Sequence, residues 1–79
     1  MKLKMTVVSV ERFDGELFSW YESRVRLENG MVLDVFLEIT EREFRLFHAE
    51  NLSWPQRNAI RDKMLTLFEE MLALENKAA

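Results

Sequence analysis

The sequence contains no cysteine, one proline and two glycines in 79 residues. Without cysteine there is no disulfide and no thiolate chemistry, which fits a reducing compartment. Apolar runs extend over only a few residues, far short of the ~20 that a bilayer-spanning helix needs. The N-terminal Met1-Lys2-Leu3-Lys4 is not followed by an apolar stretch. No signal peptide is expected, and a cytoplasmic location is. A large excess of one charge is missing too. The formal net charge of −3 supplies too few cations for a dedicated nucleic-acid binder, whose phosphate contacts need surplus Lys and Arg. It is also too weakly acidic for a nucleic-acid mimic.

Reactive constellations are equally scarce. His48 is the only histidine, so it has no second imidazole for a metal and no evident nucleophile to serve. The carboxylates Glu38, Glu41, Glu43 and Glu50 read as a solvated stretch. Two isolated glycines cannot build a phosphate-binding loop, and no serine sits in a nucleophile elbow. The expectation is therefore no catalytic residue, no metal, no cofactor and no small-molecule substrate. A chain this short also leaves little room for an enzyme's pocket.

What is present is a fold signature. The apolar fraction, 48%, suffices for a core and argues against disorder. The length is that of a single domain, residues 1–79, of marginal stability. Asp14-Gly15 and Asn29-Gly30 are hairpin signals, because these residue types tolerate the positive φ of tight turns. Residues 3–40 therefore read as a three-stranded antiparallel β-meander. At the second turn, a three-residue loop ending in glycine pairs Val25 with Leu33, Tyr21 with Leu37 and Arg24 with Asp34. A two-residue turn would instead place Asp34 on an apolar face. The same loop type at Phe13-Asp14-Gly15 pairs Arg12 with Glu16, Val10 with Phe18 and Val8 with Trp20.

This register predicts two unlike faces. The core face carries Leu3, Met5, Val7, Leu17, Tyr21, Val25, Leu27, Met31, Leu33, Val35, Leu37 and Ile39. The other mixes Lys4, Thr6, Arg12, Glu16, Glu22, Arg24, Arg26, Asp34 and Glu38 with Val8, Val10, Phe18, Trp20, Val32 and Phe36.

Thr40-Glu41-Arg42-Glu43 has the form of a helix-capping box. It predicts a short helix through about Glu50, with Phe44 and Phe47 on one side. A fourth strand is the alternative over 41–50, since Phe44, Leu46 and His48 alternate with Arg45, Phe47 and Ala49. Ser53-Trp54-Pro55-Gln56 is a second capping box. It opens one long helix over about 54–75, with Ile60, Met64, Leu67, Phe68, Met71 and Leu74 at helical spacing. The expected class is α+β, with this helix on the core face of the sheet. Arg57 and Arg61 stand near its N-terminus, against the helix dipole, and are expected to reach along the core edge to a carboxylate.

The nine residues Ile39–Phe47, Ile-Thr-Glu-Arg-Glu-Phe-Arg-Leu-Phe, resemble the first-helix motif of response-regulator winged-helix domains. The resemblance implies helix there. The rest of the chain departs from that family, with neither a recognition helix nor a wing hairpin.

The second sheet face is the main functional lead. A sheet face left to solvent is normally polar at nearly every position. Val8, Val10, Phe18, Trp20 and Phe36, flanked by Arg24 and Arg26, form a candidate contact surface with Trp20 as anchor. The competing reading is that residues 41–52 fold back and cover it with Phe44, Leu46 and Phe47. Leu65 and Leu72 widen the helix stripe and are candidates for contact with a second helix. The expected function is a small protein-binding module, an adaptor or an inhibitor of the kind phages and mobile elements encode. Its partner would be another protein or a second copy, with no role for a membrane. A structural homodimer burying the same face is the alternative. A nucleic-acid regulator using Arg24, Arg26, Arg57 and Arg61 is a weaker third.

Overall fold

The structure, a computed structural model, describes residues 4–78; Leu3, assigned above to the core face, lies outside them. Four antiparallel strands, β1 (Met5–Asp14), β2 (Ser19–Leu27), β3 (Val32–Glu38) and β4 (Glu43–Phe47), form a sheet in the order β1-β2-β3-β4. One helix, α1 (Trp54–Ala78), packs on one face. The class is α+β, an open meander with β1 and β4 at its edges.

The β2–β3 hairpin forms as the residue pattern requires. Leu27 N donates to Met31 O at 2.8 Å and Gly30 N to Leu27 O at 2.9 Å. Asn29 Oδ1 accepts from Met31 N at 3.0 Å. Gly30 takes a φ of +88°, a left-handed conformation that glycine adopts without steric cost. Val25 then faces Leu33, Arg24 faces Asp34 and Tyr21 faces Leu37.

The β1–β2 hairpin differs from expectation. Phe13 pairs with Trp20 and Asp14 with Ser19. The loop is Gly15–Phe18, closed by Gly15 N donating to Phe18 O at 2.9 Å, and it leaves Leu17 92% exposed. A β-bulge interrupts the register between Val7 and Ser9. One extra residue reverses the facing of every side chain after it. Val10 and Arg12, assigned above to the outer face, therefore lie on the helix side. Val10 packs against the core. Arg12 sits over the Tyr21 ring, 5.9 Å from its centroid, and pairs with Glu75 of α1. Ser23, buried directly opposite Val10, donates its hydroxyl to Ser9 O at 2.8 Å. That bond satisfies a carbonyl at the bulge.

Residues 43–47 are a strand, which corrects the helix preferred above and the helix implied by the winged-helix resemblance. Phe44 pairs with Leu37 and Leu46 with Val35, so both reach the core side. A short helix would leave the open side of β3 without these backbone partners. The supposed capping box is a turn instead. The Glu38 carboxylate accepts from Thr40 N at 2.9 Å and Glu41 N at 2.5 Å, and Arg42 adopts a φ of 58°.

The second capping box forms. Ser53 N donates to Gln56 Oε1 at 2.9 Å and Gln56 N to Ser53 Oγ at 3.3 Å. From there α1 lays Ile60, Met64, Phe68 and Leu72 at four-residue spacing against Tyr21, Val25, Leu33, Val35 and Leu37. Phe68 stacks on Tyr21 with centroids 5.4 Å apart and planes 9° apart. Among the described residues Arg57 finds no carboxylate: its guanidinium donates to Leu52 O at 3.2 Å and lies over the Trp54 ring at 5.3 Å. No described helix is long and apolar enough to cross a membrane.

Candidate functional site

Among the described residues nothing covers the sheet face opposite α1, and this face is aromatic at one end. Trp20 at the start of β2 is its centre. Phe13 stacks on Trp20 at 5.5 Å and 15°, because the bulge has brought Phe13 to the outer side directly across from it. Phe18 tilts against the same ring at 5.4 Å and 49°. Gly15 makes this loop feasible: a Cβ there would stand 3.2 Å from the Trp20 ring and 3.0 Å from Phe18 O. On the neighbouring strands, Phe36 and Phe47 meet edge to face at 5.1 Å and 75°. Both groups border one open groove of ≈ 760 Å³, lined by Leu17, Phe18, Trp20, Phe36 and Phe47 and by Glu38, Thr40, Glu41, Glu43 and Arg45.

The rim is acidic, with three carboxylates to one guanidinium. Glu38 and Glu43 stand directly opposite each other across β3 and β4. Glu43 is held by Arg45, with Nη2 at 2.6 Å and Nε at 3.0 Å. The backbone N–H of Glu41, then that of Thr40, hold the Glu38 carboxyl below its usual pKa. Glu22 accepts the Trp20 indole N–H at 3.1 Å. Glu22, Glu38 and Glu43 are thus occupied in holding the site's shape, and the rim supplies a fixed negative field around an apolar floor.

A smaller, more polar hollow of ≈ 330 Å³ adjoins it, lined in part by Glu11, Glu22, Arg24, Asp34 and Phe36. Arg24 Nε bonds Asp34 Oδ1 at 3.2 Å, and His48 Nε2 lies 3.5 Å from Asp34 Oδ2. Among the described residues no group of three His, Cys, Asp or Glu is placed to hold a metal ion. At the groove's end of the sheet, on the other face, burial above all pushes the Tyr21 phenol's pKa up. The Ser19 hydroxyl, and then Arg12, draw the Asp14 carboxyl's pKa down.

The structure brings together some of the sequence-derived site residues and separates others. Phe18, Trp20 and Phe36 line the groove. Val8, 52% exposed, sits at the bulge outside the groove, and Val10 is on the opposite face. Arg24 and Arg26 are exposed on the outer face, toward the other end of β2 from Trp20. Leu72 is buried in the chain's own core, which leaves it no surface for a second helix, and Leu65 packs against that core. Residues 41–52 do not cover the patch. Phe44 and Leu46 point to the core, and Phe47 extends the groove.

Phe13, Leu17, Phe47 and the acidic rim were not assigned to a site from the sequence. The strand alternative at 41–50 carried the signal for Phe47, since it sets Phe47 and Arg45 on the same side. Nothing in the residue pattern of β1 announced the bulge that delivers Phe13. No protein-family model, no curated protein and no solved structure gives a significant match to this chain.

Proposed function

We propose that this chain is a non-enzymatic protein-binding module that acts by contact, through the groove around Trp20. The observation that carries the reading is the contiguous aromatic surface of Phe13, Phe18, Trp20, Phe36 and Phe47, on the sheet face that α1 leaves bare. Contiguous apolar surface on a small chain costs solubility and marks contact sites. Aromatic anchors, tryptophan foremost, carry much of the binding energy where proteins meet. In the groove Glu38 is engaged with two backbone N–H groups and Glu43 with a guanidinium, an arrangement suited to recognition. An adaptor and an inhibitor of a larger assembly both work by such contact.

The test uses immobilised wild-type chain and Trp20→Glu to capture partners from a cell lysate, with light scattering of both at several concentrations. The expected result is a monomer that retains a protein which Trp20→Glu loses, while the variant's circular dichroism stays unchanged. A stable dimer whose mass falls on Trp20→Glu would assign the face to a second copy instead. Unfolding of a monomer by Trp20→Glu would make the patch part of the core and overturn the proposal.

A further inference from the structure

Resting on that reading, we infer that the groove takes a short extended segment of a different protein, with an apolar anchor side chain flanked by Lys or Arg, laid beside β4.

Two carboxylates at the groove are placed in a way that the fold alone does not reward. Glu38 and Glu43 face each other directly on neighbouring strands, and like charges so placed destabilise a sheet. Arg45 offsets Glu43. Glu38 keeps its charge by accepting two backbone N–H groups, and the exposed Glu41 follows it in the same turn. The rim thus carries uncompensated negative charge next to the rings of Trp20 and Phe36. A cation brought there on a partner relieves the repulsion while its apolar neighbour fills the groove. The same charge repels phosphate, which sets nucleic acid aside.

The shape of the groove is set by β4. It is the last strand of the sheet, with no strand on its far side among the described residues. Residues of positive φ, Arg42 at 58° and His48 at 66°, bracket its five residues. Arg45 and Phe47 stand on its groove side. An added strand presents alternate side chains to one face, so its anchors fall over Phe36 and Phe47 while its backbone pairs with the edge, a recurrent mode of peptide recognition. The opposite edge suits this less, since the bulge between Val7 and Ser9 interrupts β1. Two of this chain's own basic segments do not fit the role: Arg24-Val25-Arg26 lies within β2, hydrogen-bonded on both sides, and Arg57 beside Trp54 is helical. The segment is therefore sought in another protein.

The experiment is selection of a phage-displayed library of random short peptides on the wild-type chain, with counter-selection on Trp20→Glu. Selected peptides are then titrated against wild type and Glu41→Lys, at low and high salt. The expected result is enrichment of peptides with an aromatic or aliphatic residue next to Lys or Arg. Their affinity falls as salt rises, and it drops roughly tenfold in Glu41→Lys, which alters an exposed side chain and melts like wild type. Blocking alternate peptide amides by N-methylation weakens binding by a similar factor. Neutral or acidic winners, indifference to salt and to Glu41→Lys, or no enrichment at all would each overturn the inference. The contact reading itself stands or falls separately, on whether Trp20→Glu loses a lysate partner.

Discussion

The two faces of this sheet are made by the same strands and have opposite fates. On the helix side, Tyr21, Val25, Leu33, Val35 and Leu37 are fully buried and share one cluster with Ile60, Met64 and Phe68. On the other side, Trp20 and Phe36 are only half-buried, and Phe18 and Phe47 are 51% and 42% exposed. The helix-side face is closed by α1. The aromatic face is closed by nothing within the described chain. Alternation along a strand sorts side chains into two sets but does not say which set will be covered. The difference teaches that apolar content locates contact surface only after the covering element is known.

The strongest way to break this comparison is to truncate one large ring on each face. Phe68→Ala removes a fully buried ring stacked on Tyr21 and is expected to cost about 3–5 kcal/mol in urea denaturation. Trp20→Ala, on the half-buried side, is expected to cost about 1 kcal/mol in the same measurement. Equal losses would make both faces core and dissolve the distinction.

The bulge offers the next test, because it decides which residues of β1 belong to which face. Ser23→Ala removes the buried hydroxyl that meets Ser9 O. A loss of about 1–3 kcal/mol with an unchanged denaturant slope is expected. A neutral result would mean that the bulge carbonyl finds water instead. Gly30→Ala forces a side chain into the left-handed region at φ +88° and is expected to lower stability by about 1–2 kcal/mol. Its effect should leave peptide binding at the groove unchanged, because nothing of the groove touches that turn.

The smallest expected effect concerns the acidic rim. The folded Glu38 carboxyl has a pKa below its ordinary value of 4.5. A depressed folded pKa contributes stability above the unfolded pKa, and this is lost as pH falls through the folded one. Melting temperature should therefore drop on acidification below about 4.5. The drop should be shallower in Glu38→Gln, which keeps the side chain's length without the charge. Asp14, drawn down by Ser19 and then Arg12, contributes in the same direction. Identical acid profiles in Glu38→Gln and wild type would show that the turn does not depend on this carboxylate.

Legibility differed from element to element for physical reasons. The β2–β3 hairpin was readable because Asn29-Gly30 specified the turn, and only one register aligned apolar residues while setting Arg24 opposite Asp34. The start of α1 was readable because Ser53 and Gln56 satisfy each other's backbone amides locally. Residues 40–47 were ambiguous. Thr40 through Glu43 fits a helix cap, whereas Phe44, Leu46 and Phe47 fit an edge strand as well as a helix. The choice went to the pairing partner that β3 supplied. At the candidate site, Trp20, Phe18 and Phe36 were readable from alternation. Phe13 and Phe47 were not, since each depends on a register set elsewhere.

By itself the sequence determined the class of fold, the turn at Gly30, the helical spacing of Ile60, Met64 and Phe68, and the placing of Phe18, Trp20 and Phe36 on the outer side of the sheet. These follow from interactions over a few residues and from periodicity. The tertiary structure alone decided that β1 bulges, that Arg12 crosses to meet Glu75, that residues 43–47 add a strand, and that Glu38, Glu41 and Glu43 ring the aromatic groove. Each of these depends on which strand lies alongside, and a neighbour distant in the chain leaves no periodic mark on the residues it will pair with.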